Sequence, residues 1–444
     1  MAQRGHGALL FLNIQDGTSN IQVILMQDKV GESGFKFFEE TIDIGDFIEV
    51  QGVLIESKTG EKSLEATNFE VLTKTLLPLP EKWHGLQDTE EKLRKRYLDI
   101  LFNPEVKQMI EKRSIFWNAM REFLIDKGFL EVETPVLEIT TGGADARPFI
   151  THHNALDMDV YLRISMGELW QKKLMVAGFE RYFQIARCFR DEDPRGDRQQ
   201  EFTQLDFEIS FPTQEEIWEL TEKLIISLIE ELYPRKHFTK KPFPKITWKE
   251  AQDKYKTDKP DMRKDKNDND EIAACWIIDF PMFEKDAKGK ITTAHHPFTM
   301  PNEEDIHLLD KNPYKVRAYS YDLVINGYEI SSGSIRIHNR EIQNKIFEIL
   351  GLSKEETELR FGHILRAFEY GAPPHGGFAP GIDRLTMILQ NEPSIREIIA
   401  FPKTGDGRDL MMGAPSDLPV HQLKEAGIDV KKFSTKIDKH YKKN

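Results

Sequence analysis

The sequence has no long apolar run, few cysteines and no excess of positive charge. No stretch reaches the roughly 18 apolar residues of a membrane-spanning helix, and the first residues lack the basic-then-apolar layout of a secretory signal. Cys188 and Cys275 are too few for a disulfide framework or for a zinc site of their own. We therefore expect two buried thiols in a protein of the reducing cytoplasm, with no membrane partner.

The net charge of −13 argues against a protein that holds nucleic acid by bulk electrostatics. Residues 1–75 contain six Lys/Arg and twelve Asp/Glu, so any RNA contact in this segment must depend on stacking and shape. The tail over residues 431–444 is basic, and we expect it to be a solvated chain end.

Short strands separated by turn residues fill the first 75 residues. Two strands are predicted on either side of a polar turn at residues 16–20, and two more near residues 47–54 and 63–72. This spacing is typical of a small β-barrel such as an OB-fold, here apparently truncated at its first strand. A stiff proline-containing linker is predicted over residues 76–95.

A larger domain is predicted over residues 96–430. Helical periodicity or strand patterns mark eight of its segments, which are residues 105–128, 181–190, 201–211, 213–233, 276–279, 321–337, 340–351 and 354–370. The very polar residues 253–271 are interpreted as a surface crossing. The order of elements favours an α+β domain built on an antiparallel sheet flanked by helices. Since neither a P-loop nor a G-x-G-x-x-G follows a strand, a nucleotide must be held in another way.

A hairpin rich in arginine and acids is predicted over residues 189–208. Alternation along its strands groups five side chains on one face, namely Arg190, Glu192, Phe202, Gln204 and Asp206. These residue types suit ATP, with an arginine for a phosphate, a carboxylate for the adenine amino group and a ring for the base. Taken alone, the pattern also fits a salt-bridged surface hairpin.

A second candidate anion site lies where Gly381-Ile382-Asp383-Arg384 opens a helix after a Gly/Pro loop. Backbone N–H groups at a helix start favour anions, and Arg384 could reach a phosphate or stack on adenine opposite Phe202. Alone, this is also compatible with an ordinary glycine-rich turn.

A third segment, residues 322–338, carries two acids and an arginine. Asp322 and Glu329 are candidate ligands for Mg²⁺ bound with ATP, provided that a turn or bulge near Asn326-Gly327 brings them together. Arg336 is a candidate for a substrate carboxylate, which its planar fork binds in bidentate fashion. The pair His295-His296 fits either a mobile substrate loop or a structural role.

Three segments, in their order along the chain, resemble the three motifs of class II aminoacyl-tRNA synthetases. GFLEVETPVL, with Pro135, resembles the dimer-interface motif 1, FRDED…RQQEFTQLD resembles motif 2, and GGFAPGIDRL resembles motif 3. The N-terminal barrel is similar to the anticodon-binding OB-fold of subclass IIb, which contains the aspartyl, asparaginyl and lysyl enzymes. The resemblance implies a homodimer that uses ATP, Mg²⁺, an amino acid and tRNA.

The resemblance also implies roles for residues at matching positions. The implied ATP-binding residues are Arg190, Asp191, Glu192, Gln199, Phe202, Glu329, Gly381, Ile382, Asp383 and Arg384, and of these Arg190 and Arg384 are catalytic. The implied metal ligands are Asp322 and Glu329. The implied amino-acid-binding residues are Glu168, Gln171, Arg190, Asp206, His295, His296 and Arg336. Phe11 and Gln22 match the barrel positions that read the central anticodon base.

The two halves of the chain resemble different members of the subgroup. Up to about Ala177 the sequence resembles lysyl enzymes, and from Glu180 it resembles bacterial aspartyl enzymes without their large insertion between motifs 2 and 3. Arg336 stands where lysyl enzymes have a glutamate, and repulsion of a lysine substrate there would cost several kcal/mol by rough estimate. We therefore predict L-aspartate as the amino acid.

Other interpretations stay open at this point. Glu168 is the lysyl-like residue, and Gln171 replaces a lysine of aspartyl enzymes, so L-lysine is the nearest alternative substrate. A non-catalytic RNA-binding protein related to synthetases is disfavoured because the ATP-binding arginines are present. The chain is also compatible with a natural or assembly-made hybrid joined around Leu174–Cys188. Charging of tRNA(Asn) beside tRNA(Asp) is a further possibility.

Overall fold

The computed structural model describes residues 3–57, 60–79, 88–139, 146–166, 168–286, 288–416 and 420–425, together with Gly427. Two compact units divide the chain, Met1–Asp88 and Thr89–Asn444. The basic tail and part of the proposed linker lie outside the described residues. Within the described part of the chain, every helix is too short or too polar to cross a membrane.

The first unit is a five-stranded sheet with two helices. Its strands are β1 (Gln3–His6), β2 (Leu9–Gln15), β3 (Asn20–Met26), β4 (Phe47–Glu56) and β5 (Lys62–Thr73), and its helices are α1 (Gln27–Val30) and α2 (Glu32–Thr41). The four predicted strands are confirmed, whereas β1 and both helices were missed. The order is β1-β2-β3-β5-β4. Among the described residues β4 and β1 do not pair, so the predicted barrel is an open sheet here.

Apolar alternation explains how this sheet is covered. Leu10 and Leu12 of β2 are buried, and Phe35 and Phe38 of α2 pack into the same core. The turn between β2 and β3 is fixed by the Asp16 carboxylate, which accepts hydrogen bonds from the backbone N–H groups of Thr18 and Ser19. Such an Asx-type turn is what the polar residues at this position predict.

The second unit contains eleven helices and fifteen strands among its described residues. Its helices are α3 (Thr89–Arg94), α4 (Arg96–Phe102), α5 (Pro104–Asp126), α6 (Glu168–Val176), α7 (Gln214–Leu232), α8 (Trp248–Tyr255), α9 (Arg340–Ile349), α10 (Lys354–Glu369), α11 (Ile382–Leu389), α12 (Ile395–Ile398) and α13 (Val420–Glu425). Its first eight strands are β6 (Leu130–Glu131), β7 (Leu137–Glu138), β8 (Ile150–His153), β9 (Met158–Leu162), β10 (Arg181–Phe189), β11 (Glu201–Ser210), β12 (His237–Phe238) and β13 (Lys245–Thr247). The other seven are β14 (Glu271–Ile272), β15 (Ala274–Ile278), β16 (Phe283–Lys285), β17 (Ile291–Thr293), β18 (Ser320–Ile325), β19 (Tyr328–Ile335) and β20 (His375–Pro380).

An eight-stranded sheet forms the centre of this unit, in the order β13-β15-β18-β19-β20-β11-β10-β6. All neighbours pair antiparallel except the outermost pairs, β13 with β15 and β10 with β6, which are parallel. The α+β prediction on an antiparallel sheet is confirmed. The long helix predicted over 105–128 is α5, and Gly128 follows it with φ of +80°, a backbone conformation that favours glycine.

The two faces of the sheet differ in character because side chains alternate along each strand. On β11, Leu205 and Phe207 enter a large apolar cluster to which α5, α7 and α11 also contribute. Gln204, Asp206 and Glu208 therefore project to the other face. The last two are buried even though they are acidic. The helices thus cover one face and leave the polar face for a site.

The interpretation of residues 253–271 as a surface crossing was wrong in part. Helix α8 takes in the first three of these residues, and the Glu271 side chain is buried. Its carboxylate accepts hydrogen bonds from the backbone N–H groups of Lys264 and Asp265 and from the Thr239 hydroxyl. These bonds compensate the burial of the charge and tie the segment to the domain.

Candidate active site

A cleft of about 430 Å³ opens on the polar face of the central sheet. Strands β11 and β19 and the start of α11 contribute residues to it. Most of the residues proposed from the sequence line this cleft, namely Arg190, Glu192, Gln199, Phe202, Asp206, His295, His296, Glu329, Gly381, Asp383, Arg384 and Arg336. The structure thus brings together residues from segments up to about 200 positions apart.

Arg190 lies just beyond the end of β10. The prediction that Arg190 and Glu192 lie on a strand was wrong, because the strand ends at Phe189 and both residues are in the connecting loop. The backbone N–H of Arg190 donates to Gln200 O and its Nε donates to Ile164 O at 3.0 Å. The guanidinium lies 4.9 Å from the centre of the Phe202 ring. Burial lowers the pKa of Arg190, yet an arginine stays charged.

The remaining residues of the motif 2 loop divide between the cleft and its rim. Glu192 pairs with Arg198, and the side chain of Gln199 is buried. Asp191 is not among the described residues that line the cleft. Its carboxylate instead lies 2.7 Å from Arg147 Nε. The backbone N–H of Asp191 also donates to Arg147 O, and its backbone oxygen accepts from Arg147 Nε, so this arrangement does not support the proposed ATP contact of Asp191.

Arg384 is held at the start of α11. Its Nη1 donates to the backbone oxygen of Glu329 at 2.8 Å, and its Nη2 lies 3.2 Å from Asp197 Oδ2. Asp383 is 3% exposed and pairs with Arg113, while its Oδ2 accepts the backbone N–H of Thr203 at 3.1 Å. Asp383 thus ties α11 to β11, a positioning role that the sequence did not indicate.

The other two residues of this turn differ in exposure to the cleft. Gly381 lines it and donates its backbone N–H to Ile330 O at 2.8 Å. The Ile382 side chain is fully buried in the apolar cluster behind the sheet. The predicted contact of Ile382 with ATP would therefore have to involve its backbone.

Asp322 and Glu329 share one face because the β18–β19 hairpin contains a bulge. Asp322 pairs with Ser332, whereas Val324 pairs with Glu329, and the register shifts between Leu323 and Val324. Since cross-strand partners project to one face, this shift places Glu329 on the face of Asp322. The predicted bulge is therefore confirmed. The turn itself has positive φ at Asn326 and Gly327.

Each of the two carboxylates has a cationic or imidazole partner. His295 Nε2 lies 3.3 Å from Asp322 Oδ1, and Lys259 Nζ lies 2.7 Å from Glu329 Oε2. Burial raises the pKa of Asp322. Burial alone would lower the pKa of His295, but the Asp322 carboxylate outweighs it and the pKa is raised. Because the pKa of Asp322 and the pKa of His295 are both raised, this pair keeps a proton to higher pH than the separate groups would.

The chemistry of these donors fits Mg²⁺ arriving with ATP. Mg²⁺ is commonly bound through one or two carboxylates plus substrate phosphates rather than by an all-protein cage. Asp322 and Glu329 supply two carboxylates on one face of the sheet. Consistent with this mode, the described part of the chain contains no group of three or more His, Cys, Asp or Glu arranged to hold a metal by itself.

Arg336 is buried at the end of the cleft that Asp206 also lines. Its Nε donates to Glu208 Oε1 at 2.9 Å, and its Nη1 donates to Ser334 Oγ at 2.8 Å. His296 Nε2 lies 2.6 Å from Nη1. On the other side of this ring, His296 Nδ1 accepts the backbone N–H of Phe298 at 3.3 Å and lies 3.3 Å from Thr299 Oγ1.

Glu168 and Gln171 are not brought to the cleft by the described side chains. Glu168 begins α6, but its side chain lies outside the described part of the structure. Gln171 is 3% exposed and does not line the cleft. Its proposed contact with the amino acid is not supported by this arrangement.

Both thiols are buried and free, as predicted. Desolvation raises the pKa of the Cys188 thiol and of the Cys275 thiol to about 12 in each case. A thiol with such a pKa is a poor nucleophile at neutral pH.

Phe11 and Gln22 share the outer face of the first unit's sheet. Gln22 pairs with Asn13, and Asn13 is two residues from Phe11, so all three side chains project to one side. The Gln22 amide is held by Glu61 Oε2 at 2.8 Å and by the Ser63 hydroxyl at 3.0 Å. Phe11 is half-buried and presents an aromatic surface beside this amide.

The sequence analysis marked neither Glu208, the buried partner of Arg336, nor Lys259, which lines the cleft. Glu208 follows Gln204 and Asp206 at the same two-residue spacing, so extending the strand pattern would have found it. Lys259 reaches the cleft from a segment 70 positions away from its partner Glu329, and no local pattern marks it.

An antiparallel sheet with this cleft, two arginines fixed at its edge and paired acids on a bulged hairpin defines the catalytic domain of a class II aminoacyl-tRNA synthetase. Residues 88–405 match the family of class II tRNA synthetases for D, K and N. Residues 1–72 match the OB-fold nucleic acid binding domain family of anticodon-binding domains. The chain belongs to the class II tRNA synthetases of the D, K and N group.

Curated relatives resemble the chain over nearly its whole length. The aspartate–tRNA(Asp/Asn) ligase of Rubrobacter xylanophilus is 34% identical over 96% of this chain and 93% of the relative. The enzyme of the same name from Dictyoglomus turgidum is 34% identical over 96% and 94%. The aspartate–tRNA ligase of Lysinibacillus sphaericus is 33% identical over 97% and 95%. These alignments are longer than the chain itself, so the relatives carry residues that it lacks.

Proposed function

We propose that the protein is an aspartate–tRNA ligase, which activates L-aspartate with ATP and transfers it to tRNA. The observation that carries this proposal is the position of Arg336, buried at the cleft beside Asp206 and His296. An arginine fork suits the side-chain carboxylate of aspartate, and Asp206 suits its α-ammonium. The relatives, all named as aspartate ligases, support the same substrate.

The first step joins the two substrates in the cleft. The α-carboxylate of aspartate is already ionised and needs no general base. One of its oxygens attacks the α-phosphorus of ATP, a bond to that phosphorus forms, and the bond to the pyrophosphate oxygen breaks. Arg190 and Arg384 offset the negative charge that spreads over the phosphates. Catalysis is mainly positioning, because reactants held in line gain a large effective concentration.

The second step releases AMP. A terminal ribose hydroxyl of tRNA attacks the carbonyl carbon of the aspartyl-adenylate, an ester bond forms, and the bond to the AMP phosphate oxygen breaks. The hydroxyl proton leaves with the AMP phosphate or passes to water. Mg²⁺, when bound, offsets phosphate charge, and Asp322 and Glu329 are the residues that we propose to hold it.

Adenine recognition follows from the Arg190 and Phe202 pair. We propose that the base stacks on the Phe202 ring, with Glu192 accepting its amino group and Gln199 and Gly381 completing the site. Aromatic rings stack on bases without sequence preference. Arg190 lies over one face of Phe202 and is held there by its bond to Ile164, and we propose the opposite face for the base.

We propose a homodimer on the basis of an exposed apolar surface next to motif 1. Seven large apolar side chains are exposed in or beside β6 to β9, namely Leu130, Val136, Leu137, Ile139, Ile150, Leu156 and Met158. Apolar patches of this kind mark interfaces. Sedimentation of the parent should give a dimer, and Ile150→Glu a monomer. Leu359→Glu, at another exposed leucine on α10, should remain dimeric. A monomeric parent refutes this proposal.

The reducing cytoplasm remains our proposed location, based on the two free thiols.

ATP–pyrophosphate exchange with aspartate and with lysine side by side tests the proposed function. Aspartate should support exchange and lysine should not, because a lysine ammonium would face Arg336 across the cleft. Exchange with lysine alone would refute the assignment. Charging of purified tRNA(Asp) and tRNA(Asn) in parallel then defines the tRNA partner.

A further inference from the structure

A lysine outside the three sequence motifs reaches into the cleft beside the proposed ATP ligands. Lys259 Nζ lies 2.7 Å from Glu329 Oε2, and the two side chains are 42% and 29% exposed. Both residues line the cleft.

The backbone around Lys259 is fixed, whereas its side chain has room to move. Its N–H donates to Thr257 Oγ1 at 3.1 Å, and Pro260 is buried. Asp261 accepts two hydrogen bonds from the Arg263 guanidinium and lies against Gly327 of the β18–β19 turn. The four-carbon stem of the lysine then carries the ammonium on a flexible arm from a rigid base.

Glu329 is shared by two cations from different segments. Arg384 binds its backbone oxygen, and Lys259 binds its carboxylate. This carboxylate is also a proposed Mg²⁺ ligand. An ammonium and a Mg²⁺ ion compete for the same oxygen, and a triphosphate brings negative oxygens into the same cleft. The compact ammonium of lysine is a common phosphate ligand. The Lys259 ammonium can therefore bind a phosphate of the triphosphate when Mg²⁺ binds the Glu329 carboxylate.

We propose that Lys259 is a phosphate-binding residue of the ATP site, which exchanges its Glu329 contact for the β- and γ-phosphates when ATP binds with Mg²⁺. This inference rests on the proposed ATP-dependent function and adds a residue to it. The competing interpretation is a permanent ion pair between Lys259 and Glu329 that only stabilises the loop.

Binding of α,β-methylene ATP and of AMP, each with Mg²⁺, distinguishes the two interpretations. In Lys259→Met the Kd of the ATP analogue should rise about tenfold or more, as expected for loss of one charge-assisted hydrogen bond. The Kd of AMP should stay within about twofold, because AMP lacks the β- and γ-phosphates. Lys259→Arg should recover most of the affinity. Lys266→Met removes the same charge from an exposed position in the same segment and should bind both nucleotides like the parent.

Equal effects on ATP analogue and AMP, or no effect on either, would overturn the proposal. The melting temperature of each variant shows whether the substitution destabilises the fold. A permanent ion pair predicts such destabilisation for both Lys259→Met and Lys259→Glu. A second measurement uses Mn²⁺ binding to the protein without nucleotide, followed by electron paramagnetic resonance. Lys259→Met should bind Mn²⁺ several-fold more tightly than the parent, and an unchanged affinity overturns the competition for Glu329.

Failure of this inference is distinguishable from failure of the proposed function. A parent that binds the ATP analogue but shows no aspartate-dependent exchange refutes the aspartate function, and the comparison of Lys259 variants is still decisive. A parent that binds no ATP analogue refutes both. A parent that passes both tests while Lys259→Met binds normally refutes only the role of Lys259.

Discussion

Arg336 and Glu208 form a buried ion pair in which both Nε and Nη2 of the arginine lie 2.9 Å from Glu208 Oε1. The Glu208 side chain is fully buried and Arg336 is 4% exposed. No partner of Arg336 was predicted from the sequence, whereas in the structure Glu208 balances its charge. Glu208 therefore fixes the Nε and Nη2 edge of the guanidinium, while Nη1 contacts His296 and Ser334.

Replacing Arg336 should separate stability from substrate recognition. Arg336→Met removes the guanidinium that balances the buried Glu208 carboxylate, which should lower the free energy of unfolding by about 3–5 kcal/mol. The double variant Arg336→Met/Glu208→Met should regain most of that stability, because two apolar side chains replace the pair. Urea unfolding of the three proteins measures this effect.

Neither variant should activate aspartate, and for the double variant we expect kcat/KM for aspartate to fall by at least about a hundredfold, or roughly 3 kcal/mol. The Kd of the ATP analogue should be unchanged in the double variant. Aspartate-dependent exchange by a stable double variant at the parental rate would show that Arg336 does not contact the substrate.

Glu138 next to motif 1 should make stability depend on pH. Burial raises the pKa of Glu138 to about 7, although Arg163 and a hydrogen bond from Trp170 oppose the shift. Because the folded state holds this proton more tightly than the unfolded state, the raised pKa stabilises the fold below about pH 4.5. This stabilisation is lost as the pH rises through about 7. At pH 8 the folded state carries a penalty of up to about 3 kcal/mol.

Glu138→Gln should therefore melt at a higher temperature than the parent at pH 8 and at nearly the same temperature at pH 5. Thermal unfolding at both pH values measures the difference. Glu133→Gln, at an exposed acid nearby, should show no such pH-dependent gain. Equal melting temperatures of parent and Glu138→Gln at pH 8 would contradict the raised pKa.

Gly377 should tolerate no side chain because two backbones approach closely there. A Cβ at this position would lie 2.2 Å from Phe207 O and 2.5 Å from Glu208 Cδ. Gly377→Ala must therefore push β20 away from β11 or displace Glu208, at a cost of about 3 kcal/mol or more. Gly196→Ala, whose nearest neighbour is 3.8 Å away, is the matched control. Thermal melting compares the two, and equal stability would contradict the close approach.

The sequence predicted the elements of this domain better than the exact contacts of its site. Hydrophobic periodicity identifies α5 and α7 because each has one buried face, and two of the three ordered motifs supply residues that line the cleft. The need for a turn or bulge between Asp322 and Glu329 followed from their odd separation in sequence alone. Its position between Leu323 and Val324 did not, since it depends on how β18 pairs with β19.

Two errors have a common physical cause. Arg190 was placed on a strand because alternation continues through it, but the hydrogen-bonded register ends at Phe189 paired with Glu201. Residues 253–271 were taken as surface because they are polar, yet Glu271 is buried and Lys259 reaches the cleft. Burial of a charge depends on partners that are distant in sequence, which composition does not reveal.

Phe11 should affect tRNA charging without affecting amino-acid activation. It presents an aromatic face beside Gln22 on the outer face of the first unit's sheet, and loss of one base-stacking contact costs about 1–3 kcal/mol. Phe11→Ala should thus raise the KM for tRNA roughly tenfold to a hundredfold. ATP–pyrophosphate exchange should be unchanged, because every residue of the ATP cleft lies in the second unit. Phe47→Ala, at an exposed aromatic on β4 of the same sheet, controls for loss of a ring. If both variants charge tRNA equally well, Phe11 is not part of the anticodon surface, and the acidic first unit must bind RNA through other residues.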